Sequence, residues 1–267
     1  MFFDAHVHTA ASPDSEMDPC DAIYAAKKLG LGVIFTEHCD FVTSNGRNPG
    51  ATDFWKNGKS DFICDFNIYP HEYKNLRSPS VLLGLEIGLT AAYYDKNKLT
   101  AEGDFDFILG SVHSAYGVDV YFDNPSDYVD FIRRYLTYSR EMVEMCGFFD
   151  SFGHVDYVSR YNPDAQKVFR YENYAAEFDA LFKAIIERDI AIEINSSGFT
   201  KFENYAEVLF PIYKRFAELG GKYCTIGSDA HVPERIGENY FTAKTLADTA
   251  DLQVVYYKER KRCICGE

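Results

Sequence analysis

The chain has 267 residues, of which 46% are hydrophobic and 25% charged, a composition that excludes a disordered or fibrous protein and suffices for a large core. Its net charge of −14, from 27 basic and 41 acidic residues, repels nucleic-acid backbones over about 8 Å at physiological salt. No run approaches the ~18 apolar residues of a membrane span, which argues against a membrane partner.

Residues 2–7 read as a first strand. Asp18 then caps a helix with Pro19 at its first position, an apolar stripe through Ile23, Ala26 and Leu29, and a stop at Gly30. Further short apolar strands are expected at 32–36, 81–86, 105–111, 149–153, 190–195 and 223–227, with a last one at 253–257. Helical periodicity fills 126–146, 171–188, 203–219 and 241–249. The interval 40–80, rich in Asn, Gly and Pro, reads as a long loop with one short helix. Strand–helix repetition without a linker predicts one α/β domain over 1–267, a TIM-like parallel barrel of seven or eight strands. A doubly wound open sheet is the alternative.

Seven cysteines, at 20, 39, 64, 146, 224, 263 and 265, include no Cys-x-x-Cys pair. An odd, irregular set of this kind argues for reduced, mostly buried thiols. Cys263-Ile264-Cys265 reads as a strand end or a frayed tail. No basic stretch precedes an apolar run at the N-terminus. The expected location is the cytoplasm.

Six of the seven histidines fall just beyond expected apolar strands: His6 and His8, His38, His113, His154 and His231. Glu86 ends its own strand and Asp229 precedes His231 by two. In a barrel the strand C-termini open on one face, so these side chains converge. His6 and His8, two apart on a strand, point the same way. Nitrogen donors in this number suit zinc, iron or manganese, and bridging carboxylates let several ions lie close together. Three divalent ions, three carboxylates and a hydroxide sum to about +2, which suits a phosphate dianion bound by so acidic a protein. His71, in the irregular region, reads as a surface residue.

The set His6-x-His8, Thr36-Glu37-His38, Gly84-Leu85-Glu86, Ser111-Val112-His113, Gly153-His154-Val155-Asp156 and Ser228-Asp229-Ala230-His231 resembles the polymerase and histidinol phosphatase (PHP) family. The match runs in order from residue 4 to residue 231. The resemblance implies a distorted (β/α)7 barrel with a trinuclear metal site of nine ligands: His6, His8, His38, Glu86, His113, His154, Asp229, His231 and a ninth. The ninth position, often histidine in the family, is Asp14 here, with Glu16 as the fallback. The family also implies the partition of ligands: His6, His8, Glu86 and Asp229 on one ion, Glu86, His113 and His154 on a second, and Asp14, His38 and His231 on the third.

Within the family, Gly110-Ser111-Val112-His113-Ser114, Gly153-His154-Val155-Asp156-Tyr157 with Arg160, Glu193-Ile194-Asn195-Ser196-Ser197-Gly198 and the tail Tyr256-Tyr257-Lys258-Glu259-Arg260 are similar to the members that hydrolyse L-histidinol phosphate in histidine biosynthesis. The implied reaction is in-line attack on phosphorus by a metal-activated hydroxide, with Glu86, Asp229 and His231 as the catalytic set. Asp229 or His231 would assist proton transfer to the leaving oxygen. Arg160, Lys201 and Ser114 are expected to meet the phosphorylated substrate, Arg160 bidentately. Asp4 and Glu37 are expected to orient ligand histidines.

Other readings are a PHP phosphoesterase of different specificity, a nuclease or proofreading domain, a non-catalytic metal-binding protein, and a related amidohydrolase. The negative charge and absence of a basic stripe speak against nucleic acid. The near-complete ligand set speaks against a decayed site. No lysine stands at a strand end, where an amidohydrolase would need one. The sequence gives no oligomeric state.

Overall fold

A computed structural model describes residues 1–41, 62–63 (backbone only), 66–121, 123, 125 and 127–266. The chain opens with β1 (Phe2–Val7) and α1 (Pro19–Lys28), whose first turn is capped by the Asp18 side chain accepting the Cys20 N–H. β2 (Leu31–Asp40) follows, with β3 (Phe62–Ile63) antiparallel to its end, then α2 (Tyr69–Glu72), β4 (Val81–Gly88), α3 (Tyr94–Ala101) and β5 (Phe107–Ser111). A small hairpin, β6 (Ser114–Ala115) and β7 (Val118–Asp119), leads to α4 (Tyr128–Met145) and β8 (Ser151–Phe152). Next come α5 (Pro163–Val168), α6 (Ala175–Glu187), β9 (Ala191–Asn195), α7 (Gly198–Lys201), α8 (Tyr205–Glu218) and β10 (Tyr223–Gly227). The chain closes with α9 (Tyr240–Thr249), β11 (Gln253–Lys258) and β12 (Lys261–Ile264).

Seven strands run parallel in the order β1-β2-β4-β5-β8-β9-β10, and β11 adds an eighth, paired parallel with the start of β10. That order is sequential and lacks the reversal of a doubly wound sheet, so the open-sheet alternative does not describe it. The two ends of the run meet beyond β10, where Val7 and Ala230 form a parallel bridge. There the His8 N–H donates to the Ala230 carbonyl at 2.9 Å and the Asp229 N–H to the His6 carbonyl at 2.8 Å. These bonds bring the sequence ends of the motif set together.

Both faces of the parallel strands are covered, so they read as continuous apolar runs; every residue of β2 and β4 is buried. The main core lies between the strands and the apolar stripes of α4, α6 and α8, through Tyr135, Phe178, Leu181, Leu209 and Phe216. A second apolar cluster joins Phe3, Ile34, Leu82, Phe107 and Leu109 to Val255 and Tyr257 of β11. The C-terminal hairpin is locked to the strand starts by Arg260, which donates to Asp150 at 2.6 Å and to the carbonyls of Ala101 and Phe148.

Several boundaries differ from the sequence reading. β2 runs to Asp40 rather than 36, and only Ser151 and Phe152 of the expected 149–153 strand pair. Cys263 belongs to β12, which pairs antiparallel with β11, so the tail is a hairpin rather than a frayed end. α3 escaped notice because its sequence has no amphipathic stripe, and the β6–β7 hairpin because two-residue strands carry no alternation. The short helix expected within 40–80 is α2; residues 42–61 lie outside the described residues. Cys39, Cys146 and Cys224 are buried and Cys20 is exposed. Cys64 is outside the described residues.

Candidate metal centre

Glu86 is the hub. It sits near the end of β4, fully buried, in register with His38 on β2. Its Oε1 lies 2.8 Å from His154 Nε2 and 3.2 Å from His113 Nε2. Its Oε2 lies 3.0 Å from His38 Nδ1, 3.4 Å from His6 Nε2 and 3.6 Å from His8 Nε2. One carboxylate thus faces five imidazoles from four separate stretches of chain. Asp229 Oδ1 completes this side, 3.4 Å from His8 Nε2 and 3.6 Å from His6 Nε2.

The other side of the cluster gathers on Asp14. Its Oδ2 lies 2.9 Å from His231 Nε2 and 3.3 Å from His38 Nε2. The His8 ring stacks on both His38 and His231, with centroids 4.1 Å and 4.4 Å apart. Asp229 holds a left-handed backbone, φ 56°, which turns the chain so that Asp229 and His231 both face inward. All nine residues expected from the sequence as ligands therefore share one cluster. Glu16, the fallback for the ninth position, is exposed, and Asp14 occupies the place in the cluster.

The electrostatics fit multivalent cations. Burial, helped by the nearby His38 and His231, pushes the His8 imidazole down to about 3, so it is a neutral donor. Burial opposes ionisation of Glu86, Asp14 and Asp229, yet the surrounding imidazoles hold all three carboxyls well below their ordinary range. Burial likewise opposes charge on His113, but Asp40 and Glu86 raise it to about 10. His6 is raised against burial by Glu193, Asp229 and Glu86, and His38 by Asp14 and Glu86. His231 is raised by Asp14 and Asp229, again against burial. The raised imidazoles and the lowered carboxylates thus balance one another's charge within the cluster.

Buried polar atoms without hydrogen-bond partners test whether ions fit. His6 Nε2, His8 Nε2 and Asp14 Oδ1 all have this property and all belong to the cluster. Such groups are costly unless something coordinates them. Three donor triads each converge within 4.8 Å: His6, His8 and Asp229; His6, Glu86 and His154; His8, His38 and His231. Nitrogen and carboxylate donors in such numbers suit borderline divalent ions.

Around the cluster lies a shell of groups whose aiming role the sequence reading left unassigned. Glu193 accepts from His6 Nδ1 at 2.7 Å with one oxygen and from the His154 N–H at 2.7 Å with the other. Asp40 takes His113 Nδ1 at 3.0 Å. Both leave the Nε2 of their histidine turned to Glu86. Two glycines make room: a Cβ on Gly88 would lie 1.5 Å from Asp40 Oδ1, and one on Gly227 would lie 2.2 Å from the His6 Cβ. A signal was present in each case. Asp40 follows His38 by two on one strand, and Glu193 interrupts an otherwise apolar strand, where an unpartnered carboxylate is costly.

The expected orienting pair divides. Glu37 accepts from Thr9 and, at 2.5 Å, from Ser12 Oγ, which lies 3.4 Å from His8 Nδ1. It therefore acts on His8 through Ser12. Asp4 holds no histidine ring; it accepts from the Ser228 N–H and hydroxyl and the Gly237 N–H, tying down the loop that carries Asp229.

Arg160 is buried and already spends two nitrogens bidentately on Asp156, each at 3.0 Å, with a third 3.2 Å from Asp229 Oδ2. Asp156, unassigned from the sequence, is thus what holds the arginine against the cluster. Lys201 is exposed, its Nζ 5.4 Å from the Tyr161 ring centroid. Ser114 is half-buried, opposite Asp119 in the β6–β7 hairpin. His71 is exposed on α2, its Nε2 3.4 Å from Lys74 Nζ.

A parallel α/β fold with histidines and acids from successive strand ends around one buried carboxylate defines a metal-dependent hydrolase. The chain belongs to the PHP domain family, whose model matches residues 4–197. It is 36% identical to a probable histidinol-phosphatase of Clostridium acetobutylicum, over 97% of this chain and 98% of that one. It is 33% identical to a histidinol-phosphatase of Lactococcus lactis subsp. lactis, over 92% and 90% of the two chains. Its structure matches a crystal structure of the histidinol phosphate phosphatase of Lactococcus lactis complexed with zinc, L-histidinol and phosphate. That match has a TM-score of 0.85 and 26% identity and covers 98% of each chain. Among the described residues no helix is long and apolar enough to cross a membrane.

Proposed function

We propose that this chain, folded as a single domain over 1–267, hydrolyses L-histidinol phosphate to L-histidinol and inorganic phosphate, a cytoplasmic step of histidine biosynthesis. The observation that carries the reading is Glu86, a fully buried carboxylate facing five histidines, in a chain similar along its length to proteins of that activity. Three divalent ions are assigned to the cluster. His6, His8, Glu86 and Asp229 would hold one, Glu86, His113 and His154 a second, and Asp14, His38 and His231 the third. Zinc, iron or manganese, when bound, supplies Lewis acidity and positive charge for in-line displacement at phosphorus.

The chain's own residues then have distinct tasks. Glu86 would be shared by the first two of these sets, and its two oxygens gather their histidines. Asp229, kept ionised, accepts a proton at Oδ2, the oxygen that Arg160 and Asn195 already contact. His231 sits at the rim, its Nδ1 3.1 Å from the Asp229 carbonyl, which leaves Nε2 for an ion, and Asp229 passes the proton it takes from the attacking water to the leaving oxygen. The Arg160 guanidinium, positioned by Asp156, presents its remaining N–H groups to the phosphoryl oxygens. Lys201 and Ser114 contribute at the mouth.

Steady-state phosphate release from L-histidinol phosphate and a panel of phosphomonoesters tests the assignment. A preference of orders of magnitude in kcat/KM for L-histidinol phosphate supports it. Weak, even hydrolysis across the panel favours a PHP phosphoesterase of other specificity.

A further inference from the structure

The segment Glu193-Ile194-Asn195-Ser196-Ser197-Gly198 leads from the end of β9 into α7, and a buried amide stands at its turn. This is Asn195, the last residue of β9. Its Oδ1 accepts from the Ser197 N–H at 3.1 Å and from the Ser197 hydroxyl at 2.7 Å. A backbone N–H can only donate, so the atom it meets is the amide oxygen, and the carboxamide cannot flip without losing both bonds. Its NH2 group is thereby turned to two carboxylates, 3.3 Å from Asp229 Oδ2 and 3.3 Å from Glu193 Oε2. His6 Nδ1, 3.4 Å away, gives its own proton to Glu193 and is no acceptor. Two amide hydrogens thus match two carboxylates one to one.

The two oxygens of Asp229 differ in their surroundings. Oδ1 faces the imidazoles of His6 and His8, 3.6 Å and 3.4 Å away, while Oδ2 meets Asn195 and Arg160. Each of these two holders is itself braced. Ser197 fixes Asn195, and Asp156 fixes Arg160 while accepting the Tyr205 hydroxyl at 3.0 Å. Gly198 makes room for that tyrosine, since a Cβ there would lie 2.6 Å from its ring. The holders are unequal, however. Arg160 also serves the phosphoryl group in the proposed function, so substrate competes for its N–H groups. Asn195 is neutral and both its hydrogens are committed to carboxylates, so an incoming dianion does not draw it away.

We propose that Asn195, braced by Ser197, is the positioning residue of Asp229: it stops the carboxylate from rotating, so that Oδ1 stays with the ion ligands and Oδ2 with the reacting proton. The proposal rests on the reading of the chain as a metal-dependent phosphatase in which Asp229 carries that proton. The proton passes from the attacking water to Oδ2 as the new O–P bond forms. It then passes from Oδ2 to the ester oxygen as the old P–O bond breaks, which restores the carboxylate. The test compares wild type with Asn195→Ala, Ser197→Ala and Ser197→Thr, all metal-loaded, on three esters. L-histidinol phosphate and 2-aminoethyl phosphate release basic alkoxides that need the proton; 4-nitrophenyl phosphate releases a phenolate that leaves without it. Asn195→Ala is expected to lose about 10–100-fold in kcat on the alkyl esters and less than about threefold on the aryl ester. KM and the metal content found by elemental analysis stay near wild type. Ser197→Ala, which keeps the amide and removes one brace, shows the same contrast at about fivefold. Ser197→Thr, which keeps the hydroxyl, recovers most of that loss. Equal losses on alkyl and aryl esters, no loss in either alanine variant, or losses that follow metal content overturn the proposal. A wild-type enzyme without preference for L-histidinol phosphate over 2-aminoethyl phosphate overturns the substrate reading alone, because the alkyl-against-aryl contrast still decides the role of Asn195.

Discussion

Glu193→Gln removes one oxygen acceptor and adds an amide donor without changing the side chain's shape. In the native protein the two carboxylate oxygens serve His6 Nδ1 and the His154 N–H, both at 2.7 Å, and one also lies 3.3 Å from Asn195 Nδ2. Glutamine can serve only one of them. If its oxygen stays on His6, its NH2 confronts the His154 N–H donor against donor. If it flips, His6 must carry its proton on Nε2, the atom that faces Glu86 and Asp229, and can no longer coordinate there. Either way one charge-assisted hydrogen bond is lost, about 1.5–3 kcal/mol, which corresponds to roughly 10–100-fold in metal affinity. Zinc affinity measured by chelator competition, with circular dichroism to verify folding, reads this directly. Wild-type zinc affinity together with wild-type kcat/KM would refute the argument that Glu193 aims the His6 ring.

Further expectations follow from the same geometry. His8→Ala or Glu86→Ala should strip metal and abolish turnover without unfolding the chain; wild-type metal content in elemental analysis of either variant contradicts the assignment. Gly88→Ala places a methyl 1.5 Å from Asp40 Oδ1, so Asp40 must move and release His113; metal stoichiometry should drop below wild type while the far-UV spectrum is retained. The imidazoles of His6, His38, His113 and His231 are raised by neighbouring carboxylates despite burial. At neutral pH they hold protons that incoming ions must displace, so metal affinity should weaken as pH falls from 8 to 6 and binding should release protons. Calorimetry in two buffers of different ionisation enthalpy measures that release, and its absence would contradict the charge balance described.

Residues at strand ends were legible because strand termini converge in a parallel α/β fold, whatever their separation in sequence. His6, Glu86, His113, His154 and Asp229 needed only correct strand ends, and β1 and β10 matched their expected bounds. The aiming carboxylates were harder to read, since Asp40 lies beyond the expected end of β2 and nothing local says which ring it meets. Arg160 was expected to face phosphate freely, but its partner Asp156 emerges only when the turn at 157–159 folds the two together. Asp4 illustrates the reverse. A buried acid beside two histidines suggests a histidine partner, yet its oxygens are taken by the N–H groups of Ser228 and Gly237, more than two hundred residues away.

The account stands on divalent ions held at Glu86 and its neighbours turning over one phosphate ester. Its most direct test is to strip the purified protein with chelator, then titrate a divalent ion back while following phosphate release from L-histidinol phosphate. The account predicts no turnover in the stripped protein and recovery that saturates as the cluster fills, to about three ions per chain for a trinuclear site. Full turnover by metal-free protein, or metal uptake with no recovery, would contradict it.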